Sequence, residues 1–418
     1  MDSADSMLPS IEQDNEFFPI PAWSEPARKL VSARRISEMR TAPNGGKACH
    51  IDGWVVVVEP HRKKLFKVGD FVLFIEIDAF IPTTGCFWDF DSSCRTFCRG
   101  REGFRVRSKV YDPGSVLSQG CIYPLKHFPE IWVRYQGNIE KYGEEQATED
   151  LLSRSFARFF GVTKWELDPQ ALEGTAIIGS KPSFIRLPGW HRIQDIEANI
   201  FSDLRKPPHL RRVWQVTEKL DGLSTAIYCV RTDSQWAATL PTLPEDYRNK
   251  HEKDMYRFGI SDRKADYLNF FSNPQWAEAA ASNVLKSLGE ISRRSGFVNL
   301  AVVGEFVGHD IMKNTMGYPE GKHEFFAFDV CDIDTGNRMT PQQTEELCKD
   351  LNINFVPVLG YCTLDKCGKN TQELLSMAEE DVSRISGKLR EGLVFKSIDG
   401  KHTAFKVISN KWLTQVEE

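Results

Sequence analysis

Between residues 28 and 125 the chain offers short β-branched and aromatic runs, each closed by turn residues, and no helical periodicity. Residues 28–36 (RKLVSARRI) alternate, and residues 53–59 (GWVVVVE) and 69–78 (GDFVLFIEID) are apolar runs bounded by glycine and acids. In residues 103–111 (GFRVRSKVY) Phe104, Val106 and Val110 alternate with Arg105, Arg107 and Lys109, and residues 118–125 (SQGCIYPL) close the set. Period-two alternation is what a half-buried strand needs. About five short strands in roughly 100 residues, with no early helix, must hide their edges, and a small closed β-barrel does that.

At 418 residues the chain exceeds one core, so the barrel predicts a second domain behind it. The expected order is a flexible acidic tail over residues 1–25, an OB-like all-β barrel over 26–130, a helical linker over 131–183 and an α+β domain over 184–418. Another small β-barrel remains the alternative for the first domain. In the linker, residues 148–160 (TEDLLSRSFARFF) have helical spacing, with Thr148 as cap and Asp150 in the first turn. A stretch rich in Gly, Pro and Ser follows up to Ser183.

Beyond Phe184 helices and strands alternate. Residues 275–291 predict one amphipathic helix, and Thr340, Pro341 and Gln343 open another with a capping box. Strands are expected at 212–217, 223–230, 300–304, 325–330, 393–396 and 402–407, which makes an α+β domain on antiparallel sheet.

The net charge of −5 gives no global nucleic-acid signal, so such a role must rest on local patches. These are residues 61–67 (HRKKLFK), Arg99 and Arg101 with Arg105, Arg107 and Lys109, and Arg205–Lys206 with Arg211–Arg212; a merely solvated face is the alternative for each. No run of 18 or more apolar residues exists, so no membrane span is expected. The acidic N-terminus lacks an apolar core, which argues against a secretory signal or a mitochondrial presequence. An intracellular protein, cytoplasmic or nuclear, with reduced thiols is expected. A metal site around Cys86, Cys94 and Cys98 is the alternative use of those cysteines. His309, His323 and His402 show no zinc or triad spacing and read as structural.

One lysine looks misplaced. Lys219 follows Val213, Trp214 and Val216 and precedes Leu220, Leu223, Ala226 and Ile227. Desolvating an ammonium is costly. A strand-end lysine that snorkels to water is one reading. The other needs company, and Lys219 with Asp221, Glu305 in residues 304–308 (GEFVG), and Glu391 with Lys396 and Lys406 all abut apolar runs, some of them beside glycine. Burial and neighbouring cations such as Lys396 and Lys406 would lower the pKa of an amine meant to attack. Asp221, Glu305 and Glu391 would supply hard oxygen donors for Mg²⁺ or Mn²⁺.

Lys219-Leu220-Asp221-Gly222 resembles motif I, K-x-D-G, of the lysine nucleotidyltransferases, which comprise polynucleotide ligases and mRNA capping enzymes. That motif alone is weak; an ordered set makes the case. Residues 257–263 (RFGISDR) resemble motif Ia with Arg263, 303–308 (VGEFVG) motif III with Glu305, and 323–330 (HEFFAFDV) motif IIIa with Phe328. Residues 391–396 (EGLVFK) resemble motif IV and 404–411 (AFKVISNK) motif V. The OB-like segment lies in front, and residues 118–120, 161–166 and 192–194 also look like the 5′-phosphate/3′-hydroxyl RNA ligases with an N-terminal OB module. The resemblance implies a C-terminal nucleotidyltransferase domain of the ligase (ATP-grasp-like) type.

It further implies that Lys219 takes AMP from ATP, passes it to an RNA 5′-phosphate, and that the 3′-hydroxyl then displaces AMP. Glu218, Lys219, Leu220, Asp221, Arg263, Glu305, Phe328, Glu391, Lys396 and Lys406 are the implied nucleotide contacts. Phe328 would stack on adenine. Asp221, Glu305 and Glu391 would serve the metal, and Arg192, Arg263 and Lys411 the RNA 5′-phosphate. The implied partner is RNA with 5′-phosphate and 3′-hydroxyl ends, a nicked duplex included, bound by a monomer. Motif V departs from the K-x-K of many RNA ligases, with Ile408 at the second lysine position, and a polar insert around residues 231–253 separates motifs I and Ia. The rivals are a DNA ligase or GTP-using guanylyltransferase of the same superfamily, and a non-catalytic RNA-binding protein on a ligase fold.

Overall fold

The computed structural model describes residues 28–83, 92–98, 100–111, 116–165, 177–196, 212–243, 255–267, 274–399 and 403–417. The expected acidic tail, Cys86, His402, Arg99, Arg205–Lys206, Arg211 and residues 244–253 of the insert lie outside them.

The N-terminal half is a barrel of short strands. Phe71–Ile75 is central, paired antiparallel to Val31–Arg35 and to Cys121–Pro124. Glu38–Thr41, Lys47–Ile51 and Trp54–Val58 form a meander, and Ala79–Pro82, Arg101–Arg105 and Arg95–Cys98 a further sheet. Two expected strands are broken. Residues 103–111 divide into Arg101–Arg105 and Ser108–Tyr111, because the amide and carbonyl of Val106 bond to Ala79 and Asp78. Residues 118–125 divide at Gly120, which has φ 120° and lies so close to the central strand that a Cβ would meet Ile75 O at 2.5 Å.

The expected linker is not a separate unit. Helices Pro129–Tyr142 and Glu144–Ser153 lay Ile131, Tyr135, Ala147 and Leu151 on the apolar cluster of Val31, Leu73 and Ile75, and Thr163–Lys164 pairs with Ala79–Pro82. Thr148 caps nothing. It lies inside the second helix with its hydroxyl 3.0 Å from that of Tyr135, and the helix stops at Ser153, before the extended Arg154. Ile177–Ser180 already belongs to the second domain, pairing with Ala265–Tyr267.

That domain has two sheets. The six-stranded one runs Ile177–Ser180, Ala265–Tyr267, Tyr256–Ser261, Leu223–Arg231, Leu300–Gly308, His323–Asp332, all antiparallel. The five-stranded one runs His191–Arg192, Ala404–Ile408, Gly392–Ser397, Val213–Lys219, Val358–Thr363; only the first pair is parallel. Alternation along the strands explains the layers. Ile227 and Val302 face helices Pro274–Ala281, Val284–Ser295 and Pro341–Asp350, while Tyr228 and Val303 face inward to Leu220, Phe326 and Phe328. The expected single helix over 275–291 is two, split where Asn283 takes φ 65°. The Thr340 capping box forms as expected, with Gln343 N donating to Thr340 Oγ1 and Thr340 N to Gln343 Oε1.

Two cysteines depart from the expectation of reduced thiols. Val358–Thr363 runs directly into the single turn Leu364–Cys367, which brings Cys367 back over Cys362 as a disulfide. Cys49, Cys94, Cys121, Cys229, Cys331 and Cys348 are free thiols. No helix among the described residues is long and apolar enough to cross a membrane.

Candidate active site

Val213–Lys219 is buried through its middle because it runs between two neighbours in the five-stranded sheet. Lys219 ends it, and the Asp221-Gly222 turn delivers the chain to Leu223–Arg231 of the other sheet. The lysine therefore stands where the two sheets part. Gly222 presses on the facing strand, where a Cβ would lie 2.4 Å from Phe306 O.

Register then gathers the acids. Lys219 lies opposite Gly392, which brings Glu391 beside it, and Lys219 Nζ donates to Glu391 Oε2 at 2.7 Å. Ser224 lies opposite Glu305 and its hydroxyl reaches Glu305 Oε2 at 3.3 Å. Lys406, opposite Val394, lines the same cleft, as do Arg263 and Phe328. Arg263 donates to Pro188 O at 2.7 Å and to Ser224 Oγ at 3.3 Å.

The charges do not follow the expectation for Lys219. Burial pulls its ammonium down, but Glu391 and Glu305 outweigh it and hold the group above its ordinary value. Burial pushes the Glu391 carboxyl up to about 7 against the pull of Lys219, and raises Glu305 likewise. Of the two lysines lining the cleft, the depressed one is Lys406, brought to about 7 by burial and then by Lys219, Arg192 and Arg28; burial lowers Lys396 behind it as well.

The remaining expected residues fall at different distances from the cleft. Leu220 is part of its wall, and Glu218 is buried with Oε2 accepting from Arg384 N at 3.0 Å. Asp221 Oδ2 accepts from the Thr315 hydroxyl at 2.6 Å. Lys396 stands behind the cleft. Its Nζ donates to Phe328 O at 2.6 Å and to Asp329 Oδ1 at 2.8 Å, and lies over the rings of Trp190 and Phe328. Lys411 sits exposed on the helix Asn410–Glu417, reaching Glu379 O at 3.4 Å. Arg192 is paired by register with Lys406 yet buried, 3.5 Å from Asp78 of the barrel, within a cluster of Arg28, Glu76 and Asp195. Pro188, Trp190 and Ser224 also line the cleft and were missed. Ser224 was legible in principle, since it shares a face with residues two apart along its strand.

Among the described residues no three His, Cys, Asp or Glu side chains converge to cage a metal ion. Cys98 is buried with its thiol toward Lys164 O, and Cys94 is a partly exposed free thiol. Asp221, Glu305 and Glu391 are hard oxygen donors, the type that a cation keeping its waters and taking its other ligands from phosphate would use.

A lysine held among carboxylates where two sheets part, behind a small β-barrel, is the arrangement expected of a lysine nucleotidyltransferase. Residues 212–411 match the RNA ligase family model and residues 30–125 an OB-fold domain model. Residues 212–411 are thus an RNA ligase domain, with an OB-fold domain in front over residues 30–125. The chain is similar to the Naegleria gruberi RNA ligase solved with PPi, at 27% identity and TM-score 0.71, over 93% of this chain and 99% of that one. Substituted forms of that ligase solved with ATP and Mn (26% identity, TM-score 0.71, 94% and 100% covered) and with AMP and Mn (26%, 0.71, 93% and 99%) match equally. No curated protein sequence matches the chain.

Proposed function

We propose that the chain joins RNA 5′-phosphate and 3′-hydroxyl ends at the expense of ATP, acting as a monomer inside the cell, in cytoplasm or nucleus. The observation that carries this reading is Lys219 Nζ in the cleft between the sheets, 2.7 Å from Glu391 and with Glu305, Lys406 and Phe328 around it. Lys219 Nζ attacks the α-phosphorus of ATP, a P–N bond forms, the bond to the bridging oxygen breaks and pyrophosphate leaves. The RNA 5′-phosphate takes AMP from the lysine, and the 3′-hydroxyl then displaces it. A bound Mg²⁺ or Mn²⁺ offsets the phosphate charge. Glu391, Glu305 and Asp221 hold that ion directly or through water, Lys406 meets phosphate oxygens, and adenine stacks on Phe328. Lys396 supports Phe328 from behind rather than touching phosphate. Arg263 is the candidate for the RNA 5′-phosphate; Arg192 reaches it only if Asp78 releases it, and Lys411 only from the outer helix.

Incubation with labelled ATP or GTP, followed by a denaturing gel, tests the nucleotide: label is expected from ATP alone. Label from GTP would favour a capping-type enzyme, and label from neither a non-catalytic binding protein. Nicked duplexes with RNA or DNA on each side of a 5′-phosphate nick test the polymer, with sealing expected only where RNA is present. Sealing of all-DNA nicks at the same rate would favour a DNA ligase.

The electrostatics give a pH prediction. Because Lys219 rests above its ordinary pKa, its neutral fraction rises about tenfold per unit between pH 7 and 9. The second-order rate of lysine adenylylation should climb over that range, by less than tenfold per unit because Lys406, brought to about 7, gives up its charge there. A flat profile would show the amine to be neutral already.

A further inference from the structure

Thr315 lies on the connection between Leu300–Gly308 and His323–Asp332. The connection is built rather than loose. Ile311 anchors it in the core, Met312 and Asn314 take φ of 52° and 47°, and Asn314 locks it. Asn314 Nδ2 donates to Tyr318 O at 2.9 Å while Tyr318 N donates to Asn314 Oδ1 at 2.8 Å. Tyr318 is itself tied to Glu324 through its hydroxyl, at 2.6 Å. Non-glycine residues in the left-handed region persist only where surroundings over-determine them, and such sites cluster at functional positions. What this one delivers is the Thr315 hydroxyl, 2.6 Å from Asp221 Oδ2.

Asp221 needs such a partner. Its backbone is fixed by the close approach of Gly222 to Phe306, but its side chain points from a turn, with two torsions free. A hydroxyl donated to Oδ2 fixes the carboxylate plane and leaves Oδ1 for another ligand. We propose that Thr315 is a positioning residue for the ligation reaction, holding Asp221 in the orientation in which it meets metal-bound nucleotide. This rests on Asp221 serving the nucleotide, as argued above. Outer partners of ligating carboxylates commonly change affinity by about 10–100-fold when removed.

The test is calorimetry of ATP binding with Mn²⁺ by the full chain carrying Lys219→Met, which cannot turn over, with melting temperatures measured in parallel. Thr315→Val should weaken binding about tenfold at an unchanged melting temperature, and Thr315→Ser should restore it to within about twofold. Asp221→Asn should weaken binding as well, and Thr315→Val added to it should cost nothing more, since the threonine acts through the aspartate. Parent-like binding by Thr315→Val beside a weakened Asp221→Asn would overturn the inference, as would equal losses in the Val and Ser variants. So would a full additional loss in the Asp221→Asn background. Parent-like binding by Asp221→Asn alone would sink the reading of Asp221, and the inference with it. If Thr315→Val melts early, Thr315→Ala takes its place under the same criteria.

Discussion

Lys219→Met should leave no covalent AMP on the protein while the chain stays folded near pH 7. The loss is total because methionine has no nucleophile, whereas the fold has an escape. With Lys219 gone, Glu391 loses its ion-pair partner, and a buried carboxylate without one would be costly. Its carboxyl, however, is already pushed up to about 7 by burial, and Lys219 was the strongest influence drawing it down. In the variant it moves further up and takes a proton, so the fold near neutral pH loses little. The sign with pH follows. A carboxyl with a raised folded-state pKa binds a proton that the unfolded chain has released, so stability falls as pH climbs toward that pKa. The melting-temperature gap between variant and parent should therefore widen from pH 6 to pH 9. Surviving label would remove Lys219 from the chemistry. A deep stability loss at pH 6 would instead mark it as a structural lysine.

Asp329→Asn should show the opposite profile, a large loss of stability from a residue outside the cleft. Asp329 is buried between Lys396 Nζ at 2.8 Å and Arg338 Nη1 at 2.6 Å. Burial alone would push its carboxyl up, but Lys396 and Arg338 hold it below the ordinary range. Removing the acid leaves Lys396 desolvated with no counter-ion, at a cost of about 3–5 kcal/mol. That corresponds to roughly 10 °C in melting temperature. Lys396→Met should cost less, because Asp329 keeps Arg338. Since Lys396 also backs the rings of Phe328 and Trp190, nucleotide affinity should fall together with stability in Asp329→Asn. A variant within about 1 kcal/mol of the parent would mean that water reaches the pair.

What could be read from the chain depended on range. Period-two runs gave both domains their strands, since alternation is local, and Thr340 with Gln343 announced its helix for the same reason. The breaks were not local. Gly120 splits a run because it touches Ile75, and Asn283 splits a helix by its backbone alone, a conformation asparagine tolerates but does not announce. Thr148 looked like a cap because Ser, Thr and Asp favour that role; its bond to Tyr135 belongs to a contact between two helices. In the site, Lys219, Glu305, Glu391 and Lys406 were legible from their order along the chain. Their protonation was not, because it depends on which carboxylate each amine meets across a sheet. Lys396 illustrates the limit: nothing local tells whether a strand lysine faces a cleft or turns back onto Asp329. Thr315 carried no signal at all, its partner lying 94 residues away.

Arg192 belongs to the ligase domain, yet the acid beside it, Asp78, comes from the barrel. Natural selection therefore cannot treat the two domains as interchangeable parts. A lineage that exchanged its barrel for an unrelated one would inherit a buried guanidinium that had lost Asp78 and Glu76 and kept Asp195 alone. The two modules are bound to diverge as a matched set, with changes at position 78 answered at position 192.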